Sequence, residues 1–354
     1  MEKKFASRIL LVKLSALGDV IQALPVLAAL RRAQPEMGID WVVEEENAEI
    51  LRDHPLLDRL LVFPRRRILR LLSAGRVRAA WRLWRAFLRD LRARDYPVVL
   101  DLQGLLKSAL VVAVCRGERK LGFANHREGS TLPLTEKLPP YDPDLHAVRR
   151  YLLAAEALGG VPEPVVFPLA PYPSAERVAR RFALPSPPWL VFIPATRWES
   201  KRWPEAHWQA LARRIEGLGL PLLWVGGPGD REYVAGLASR GINLAGRLSL
   251  KELAGILSGA AAVVSVDTGP MHLAAALGRP VVALFGPTAP WRTGPFGEGH
   301  RILRADLPCS PCFRRRCPAP RCAPRCMQEV SCGEVFKALQ VLAGKKLESP
   351  KGHK

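Results

Sequence analysis

The stretch Ser265-Val266-Asp267-Thr268-Gly269-Pro270-Met271-His272 joins the two kinds of element that decide this fold. Upstream, 260–266 is an apolar, β-branched run bounded by Gly259, the pattern of a strand buried on both faces. Downstream, 271–277 reads as a helix closed by Gly278 and stopped by Pro280, and a second apolar run follows at 281–285. Strand, short helix, strand is the rhythm of a parallel α/β sheet. The junction places an acid, a hydroxyl, a glycine and a histidine at the carboxyl end of a strand, where open α/β sheets hold ligands. A helix opening at Thr268 and Gly269 offers free backbone N–H groups and a positive dipole end, which suits a phosphate. The plainer reading is a capped helix with Asp267 or Thr268 as N-cap, and these eight residues do not choose between the two.

The same alternation extends on both sides. In the second half, strands are expected at 189–193 and 222–225, with helices near 204–217, 230–239 and 249–258. Two loops at strand ends stand out, Thr196-Arg197-Trp198-Glu199-Ser200-Lys201 and Gly226-Gly227-Pro228-Gly229-Asp230. In the first half, 8–13 is a strand, followed by a small-residue loop and a helix over about 20–33. Only Gly18 stands where the dinucleotide fingerprint needs three glycines, which argues against an NAD enzyme. Asp19, at that turn, is either a helix cap or a carboxylate general base held at the mouth of the sheet by a positive helix end.

Further strands are expected at 39–45, 60–63 and 98–104, and a helix at 145–158. The acids Glu44, Glu45 and Glu46 read as the solvated first turn of the next helix. Gly159 to Pro173, rich in proline and glycine, marks a boundary. The expected organisation is therefore a first domain over 1–165, a second over 174–330, and a final helix over 331–346. Two βα halves, each with loops at its strand ends, suggest ligands held between domains.

With 354 residues, 48% of them apolar, the chain has the makings of two ordinary cores. The start lacks a signal peptide's cleavage site, and no apolar stretch reaches membrane-spanning length, so a cytoplasmic setting is expected. The net charge of +20 implies an anionic partner. Much of it lies in Arg65, Arg66, Arg67 and Arg70 and in a helix over 76–94. There Val77, Trp81, Trp84, Leu88 and Leu91 form one stripe, and Arg78, Arg82, Arg85, Arg89 and Arg92 form its neighbour. Either the tryptophans pack on the sheet and the arginines meet water, or the helix meets an anionic inner-membrane surface as a peripheral protein. Nucleic acid fits less well, since neither a binding module nor aromatic-basic interleaving is found.

Six of the seven cysteines fall between 309 and 332. Zinc or iron–sulfur ligation, free thiols and disulfides all remain open, with Cys309, Cys312, Cys317 and Cys326 the candidate metal ligands.

Taken together, KLSALGDVIQALPVL, WVVEEENAEI, LDLQGLLKSAL, TRWESKRWPEAHW and SVDTGPMHLAAALGRPVVALFGPT resemble the lipopolysaccharide heptosyltransferases of glycosyltransferase family 9. The likeness runs through most of the chain. The second and fourth segments lean toward heptosyltransferase I, whereas the Cys309-Ser310-Pro311-Cys312 tail is similar to heptosyltransferase II. The resemblance implies a GT-B architecture: two Rossmann-like domains facing a cleft, acceptor on the first and nucleotide-sugar on the second. It also implies inverting transfer of L-glycero-D-manno-heptose from ADP-heptose to Kdo2-lipid A, with no cofactor required.

By the same likeness, Asp19 falls on the catalytic base, and Asp267, Thr268, Gly269 and His272 on the donor motif. Lys201 and Thr196 fall on phosphate-contacting positions and Asp230 near the ribose. Pro270 departs from the usual leucine and, lacking an N–H, removes one backbone donor. Arg65, Arg66, Arg67 and Lys107 are the candidate partners for the acceptor's phosphates and carboxylates. A type-II acceptor, a GT-B epimerase and, more remotely, a nucleic-acid-binding protein are the competing readings.

Overall fold

The computed structural model describes residues 7–318 and 324–347, leaving aside the side chains of 345–347. The chain divides into two units, one ending at Pro171 and the next beginning at Tyr172. Among the described residues each is an α/β unit built on one six-stranded sheet.

The first unit contains β1 (Arg8–Val12), β2 (Gly38–Glu44), β3 (Arg59–Phe63), β4 (Tyr96–Asp101), β5 (Gly117–Phe123) and β6 (Glu136–Leu138). They are parallel throughout and ordered β3-β2-β1-β4-β5-β6. Its helices are α1 (Leu17–Ala23), α2 (Pro25–Ala33), α3 (Arg65–Ser73), α4 (Val77–Leu91), α5 (Leu106–Val114) and α6 (Ala147–Glu156). The central strands are apolar because both faces are covered by helices: Ile9, Leu10, Leu11 and Val12 are all at most 1% exposed.

The second unit repeats the plan with β7 (Trp189–Ile193), β8 (Leu222–Trp224), β9 (Ile242–Asn243), β10 (Ala260–Val266), β11 (Val281–Phe285) and β12 (Arg301–Arg304). The order is β12-β11-β10-β7-β8-β9, which is the first sheet's order counted from its own first strand. Its helices are α7 (Ala175–Phe182), α8 (Glu205–Arg214), α9 (Arg231–Leu237), α10 (Leu250–Ser258), α11 (Gly269–Ala276), α12 (Pro290–Thr293), α13 (Arg325–Gln328) and α14 (Cys332–Leu347). Phe192, Trp203, Trp208 and Trp224 interlock in its core, with the Trp203 and Trp208 rings 5.0 Å apart and nearly perpendicular.

In both sheets the chain reverses its winding direction at the centre, between β1 and β4 and between β7 and β10. Loops leaving such a pair of strands diverge and open a crevice at the sheet's carboxyl edge. The expected two Rossmann-like sheets are therefore present, and each sets one loop pair at its crevice.

Three sequence expectations need correction. The helix expected over 20–33 is two helices, because Pro25 lacks an N–H and starts α2 instead of continuing α1. The outer strands β5, β6, β9 and β12, of which β6, β9 and β12 are edges, were not anticipated; β5 and β12 carry charged residues and are half-exposed, so no apolar run announces them. In α4 the inward residues are Ala80, Trp84, Phe87 and Leu91, while Val77 and Trp81 stay out. The lysine-rich end, expected to be disordered, lies outside the described residues from 348 onward.

Candidate active site

In the second unit, β10 delivers Asp267 to the crevice, and the loop after β7 delivers Thr196 and Lys201. Lys201 Nζ lies 2.7 Å from Asp267 Oδ2, with both side chains largely buried. Thr288, just past β11, donates to the same oxygen at 2.7 Å. Thr196 Oγ1 donates to the Asp267 carbonyl at 3.4 Å. The Lys201 ammonium also sits 4.5 Å from the centre of the Trp198 ring. Asp267 thus caps no helix: its carboxylate anchors Lys201.

Thr268 is the residue before α11, in extended backbone, and its side chain makes no capping bond to that helix. The N–H groups opening α11 keep the dipole end described above, less the donor Pro270 cannot supply. His272 lies one turn on, buried. Asp230 spends Oδ2 on the Gly227 N–H at 2.8 Å, shaping the glycine loop after β8. Around Lys201 the loop is strapped to the segment after β12, where the Arg314 carbonyl accepts from Ser200 Oγ at 2.6 Å. That strap brings Arg315 and Arg316 beside Arg197 and Arg202, lining a cavity with Glu199.

In the first unit, the loop after β1 is pinned by Gln103, whose Oε1 accepts from the Leu14 and Ser15 N–H groups at 3.1 and 3.0 Å. Asp19 is the third residue of α1, and its Oδ2 accepts the Ala16 N–H at 3.0 Å. No cation stands within 4 Å of its carboxylate among the described residues. Below it, Lys13 is 2% exposed and donates to the Tyr151 hydroxyl at 2.7 Å and the Leu102 carbonyl at 3.0 Å. Burial pushes the Lys13 ammonium down from its ordinary pKa, against the pull of Asp19 and Asp101. The Tyr151 hydroxyl is pushed well up, first by burial and then by the Asp19 charge.

Asp101 is wholly buried, and its carboxyl is raised by burial to about 6 although three donors, Gln103 N, Gly104 N and Ser108 Oγ, hold it. Gly104 follows at φ +65, where a Cβ would lie 2.4 Å from the His126 ring, so the turn requires glycine. Burial and the Lys13 charge press His126 down to about 4, which keeps it neutral.

The acceptor-side candidates are brought together around the acids after β2. Lys107 contacts Ser15 Oγ and lies 3.0 Å from Glu44 Oε1. Arg65 reaches the same oxygen at 2.9 Å, Arg66 meets Glu46 at 3.1 Å and Arg67 meets Glu45 at 3.0 Å. Burial alone would raise the Glu44 carboxyl, but the hydrogen bonds and charges of Lys107 and Arg65 outweigh it and hold it low. Glu45 and Glu46 do open a short helical turn, Glu45–Leu51, and are exposed as expected, while each also meets an arginine; Glu44 is the exception, buried and held by Arg65 and Lys107. The lysine at the junction is half-buried beside the Asp19 loop, whereas Arg66 and Arg67 are more exposed.

Lys13, Tyr151, Asp101 and Thr288 were not singled out from the sequence. Thr288 had a signal, since it closes the SVDTGPMHLAAALGRPVVALFGPT segment just beyond a strand.

The cysteine tail does not assemble a metal centre among the described residues, where no three His, Cys, Asp or Glu side chains are placed to hold an ion. Cys309, Cys312 and Cys317 are exposed free thiols, while Cys326 is buried over Gly286. Burial, and then the neighbouring Cys312, Cys309 and Cys317 thiols, push Cys326 up to about 11. Cys322 lies outside the described residues.

Residues 84–323 match the family model described as glycosyltransferase family 9 (heptosyltransferase). The chain is 40% identical over 324 residues to lipopolysaccharide heptosyltransferase 1 of Pseudomonas aeruginosa, covering 88% of this chain and 87% of that protein. The solved E. coli heptosyltransferase WaaC with ADP superposes with a TM-score of 0.75 at 30% identity, over 95% of this chain and 99% of that one. E. coli ADP-heptose lipopolysaccharide heptosyltransferase II gives a TM-score of 0.77 at 22% identity, over 96% and 99%, a likeness of fold alone. With the site's geometry and these likenesses in hand, the chain belongs to glycosyltransferase family 9, the heptosyltransferases.

Proposed function

We propose that this chain is a heptosyltransferase I, which moves L-glycero-D-manno-heptose from ADP-heptose to a Kdo of Kdo2-lipid A with inversion. The observation that carries the reading is the unequal treatment of two aspartates. Asp267 is neutralised by Lys201 and fixed by Thr288, so it serves to place an ammonium. Asp19 accepts the Ala16 N–H and lies against the Tyr151 hydroxyl, with no cation in direct contact among the described residues, so its carboxylate is left to take a proton.

The chemistry follows from those roles. As the acceptor oxygen forms its bond to the anomeric carbon, the bond from that carbon to the diphosphate oxygen breaks. The acceptor's hydroxyl proton passes to Asp19, and the leaving ADP carries the electron pair. Charge building on its phosphate is met by the Lys201 ammonium and by the N–H groups opening α11, donors already oriented before reaction. Thr196, Asp230 and His272 border that donor site, and Lys107 with Arg65, Arg66 and Arg67 offers cations to the acceptor's phosphates and carboxylates. The acceptor is lipid-linked, so the protein works as a peripheral protein at an anionic membrane surface. Among the described residues no helix is long and apolar enough to cross a membrane.

The likeness to heptosyltransferase 1 at 40% identity supports the type-I acceptor over the type-II one. The test is ADP release from ADP-heptose. Release that depends on Kdo2-lipid A is expected. Release only with an already heptosylated acceptor would move the chain to the second transfer, and release from donor alone would end the transferase reading.

A further inference from the structure

Beyond Arg65, Arg66 and Arg67, the hairpin of α3 and α4 presents a face that neither the transfer chemistry nor core packing uses. None of the nine residues of α3 is buried. α4 turns Phe87 inward to stack on Phe63 at 4.7 Å and sets Trp84 beside it at 6.1 Å. Trp81 and Val77 point the other way, 56% and 61% exposed. On α3, Leu69 and Leu72 are 50% and 46% exposed. Each pair is three or four residues apart and so shares a helix face, and Leu72 and Val77 flank the turn joining the helices. Large apolar side chains therefore stand in water on a rigid two-helix support.

The charge around them has one sign and no local counter-ion. Arg70, Arg76, Arg78, Arg82 and Arg85 are all exposed, and none has a carboxylate within 4 Å among the described residues. This contrasts with Arg65, Arg66 and Arg67 one turn away, each matched to a glutamate. Nucleic acid would explain the arginines but not the leucines, and an apolar protein groove would explain the leucines but not the charge. A layer with phosphates outside and hydrocarbon beneath accounts for both. Tryptophan settles at that boundary, and arginine stems reach along apolar surface while their heads stay with phosphates.

We propose that the α3–α4 hairpin seats the protein on an anionic lipid bilayer, with Leu69, Leu72, Val77 and Trp81 entering the head-group layer and Arg70, Arg76, Arg78, Arg82 and Arg85 engaging lipid phosphates. This rests on the transfer reading for its purpose, since a lipid-linked acceptor must be met at a membrane, but not for its test.

The full chain is sedimented with phosphatidylcholine vesicles and with vesicles containing phosphatidylglycerol, neither holding any Kdo lipid. Pelleting with the anionic vesicles, weakening as salt rises, is expected. Trp81→Ala should lower the partition coefficient about tenfold, from its lost apolar area. Each of Arg78→Gln, Arg82→Gln and Arg85→Gln should lower it roughly fivefold. Because Trp81 is exposed, its variant should keep the wild-type melting temperature and wild-type turnover on a water-soluble Kdo acceptor. Equal pelleting on both vesicle types, or indifference to the substitutions, overturns the proposal. So does concentration-dependent self-association abolished by Trp81→Ala, which would assign the face to a second copy. If binding behaves as expected but no heptose is transferred, the transfer reading alone fails.

Discussion

Each unit sets an aspartate at the carboxyl edge of its sheet, close to the point where strand order reverses, yet the two keep opposite electrostatic company. Asp267 is clasped by Lys201 and Thr288, both at 2.7 Å. Asp19 receives the Ala16 N–H and the Tyr151 hydroxyl, and the lysine buried nearest it, Lys13, donates to Tyr151 and the Leu102 carbonyl instead of to the carboxylate. The same residue type thus does two jobs according to whether a cation reaches it. A paired carboxylate fixes a positive charge in place for an anionic leaving group; an unpaired one can accept a proton. Repetition of one topology supplies equivalent positions, and the side chains arriving from neighbouring strands decide what each position does.

The sharpest way to break this contrast is Asp19→Asn. Turnover should fall roughly 10²–10⁴-fold, the usual worth of a general base, while ADP affinity stays within a factor of about two. A parallel loss of ADP affinity would mean that Asp19 also serves the donor, and the division of labour would be wrong. Next in size is the pair in the other unit. Lys201→Met removes the ammonium and strands a buried carboxylate, so donor affinity should drop roughly 10–100-fold and the unit should lose about 3 kcal/mol of stability. Asp267→Asn should do less to stability, because Thr288 can still donate to an amide oxygen. The double variant should fall well short of the sum, since both substitutions break one interaction. Additive losses by calorimetry and ADP titration would show that Lys201 and Asp267 act separately.

How much of this was legible beforehand depends on where each partner lies along the chain. Central strands such as β1, β7, β10 and β11 announce themselves because burial on both faces demands unbroken apolar runs. β5, with Glu118, Arg119 and Lys120, and β12, with an arginine at each end, are set by pairing with a neighbour already in place, which local composition does not record. The donor site was readable because Asp267, Thr268 and Gly269 are contiguous and Lys201 stands in a conspicuous loop. Lys13 drew no notice because the residue that makes its burial tolerable, Tyr151, lies 138 positions away. Glu45 and Glu46 are the solvated helix start they looked like, but the burial of Glu44 was not legible for the same reason, its partner Arg65 being about twenty residues further on. Long-range polar pairing leaves no periodic trace, and that is where reading from sequence stops.

The smallest expected effect asks which acid Lys13 serves. The Asp101 carboxyl is raised to about 6 by burial, above the ordinary range near 4 that it recovers on unfolding. Below about pH 4 it is protonated in both states. Between about pH 4 and 6 the folded chain retains a proton that the unfolded chain has lost, so this group's contribution to stability declines as pH rises. The decline should total roughly 2–3 kcal/mol and level off above pH 6. Asp101→Asn has no such titration, and its amide oxygen can still accept the Gln103 and Gly104 N–H groups. Urea unfolding of the first unit between pH 4.5 and 7.5 should therefore show the wild type losing ground to Asp101→Asn as pH increases. A gap that instead closes or reverses with rising pH would mean the ammonium of Lys13 outweighs burial at Asp101. Lys13 would then be the counter-ion of Asp101, and its field would no longer be available beneath Asp19.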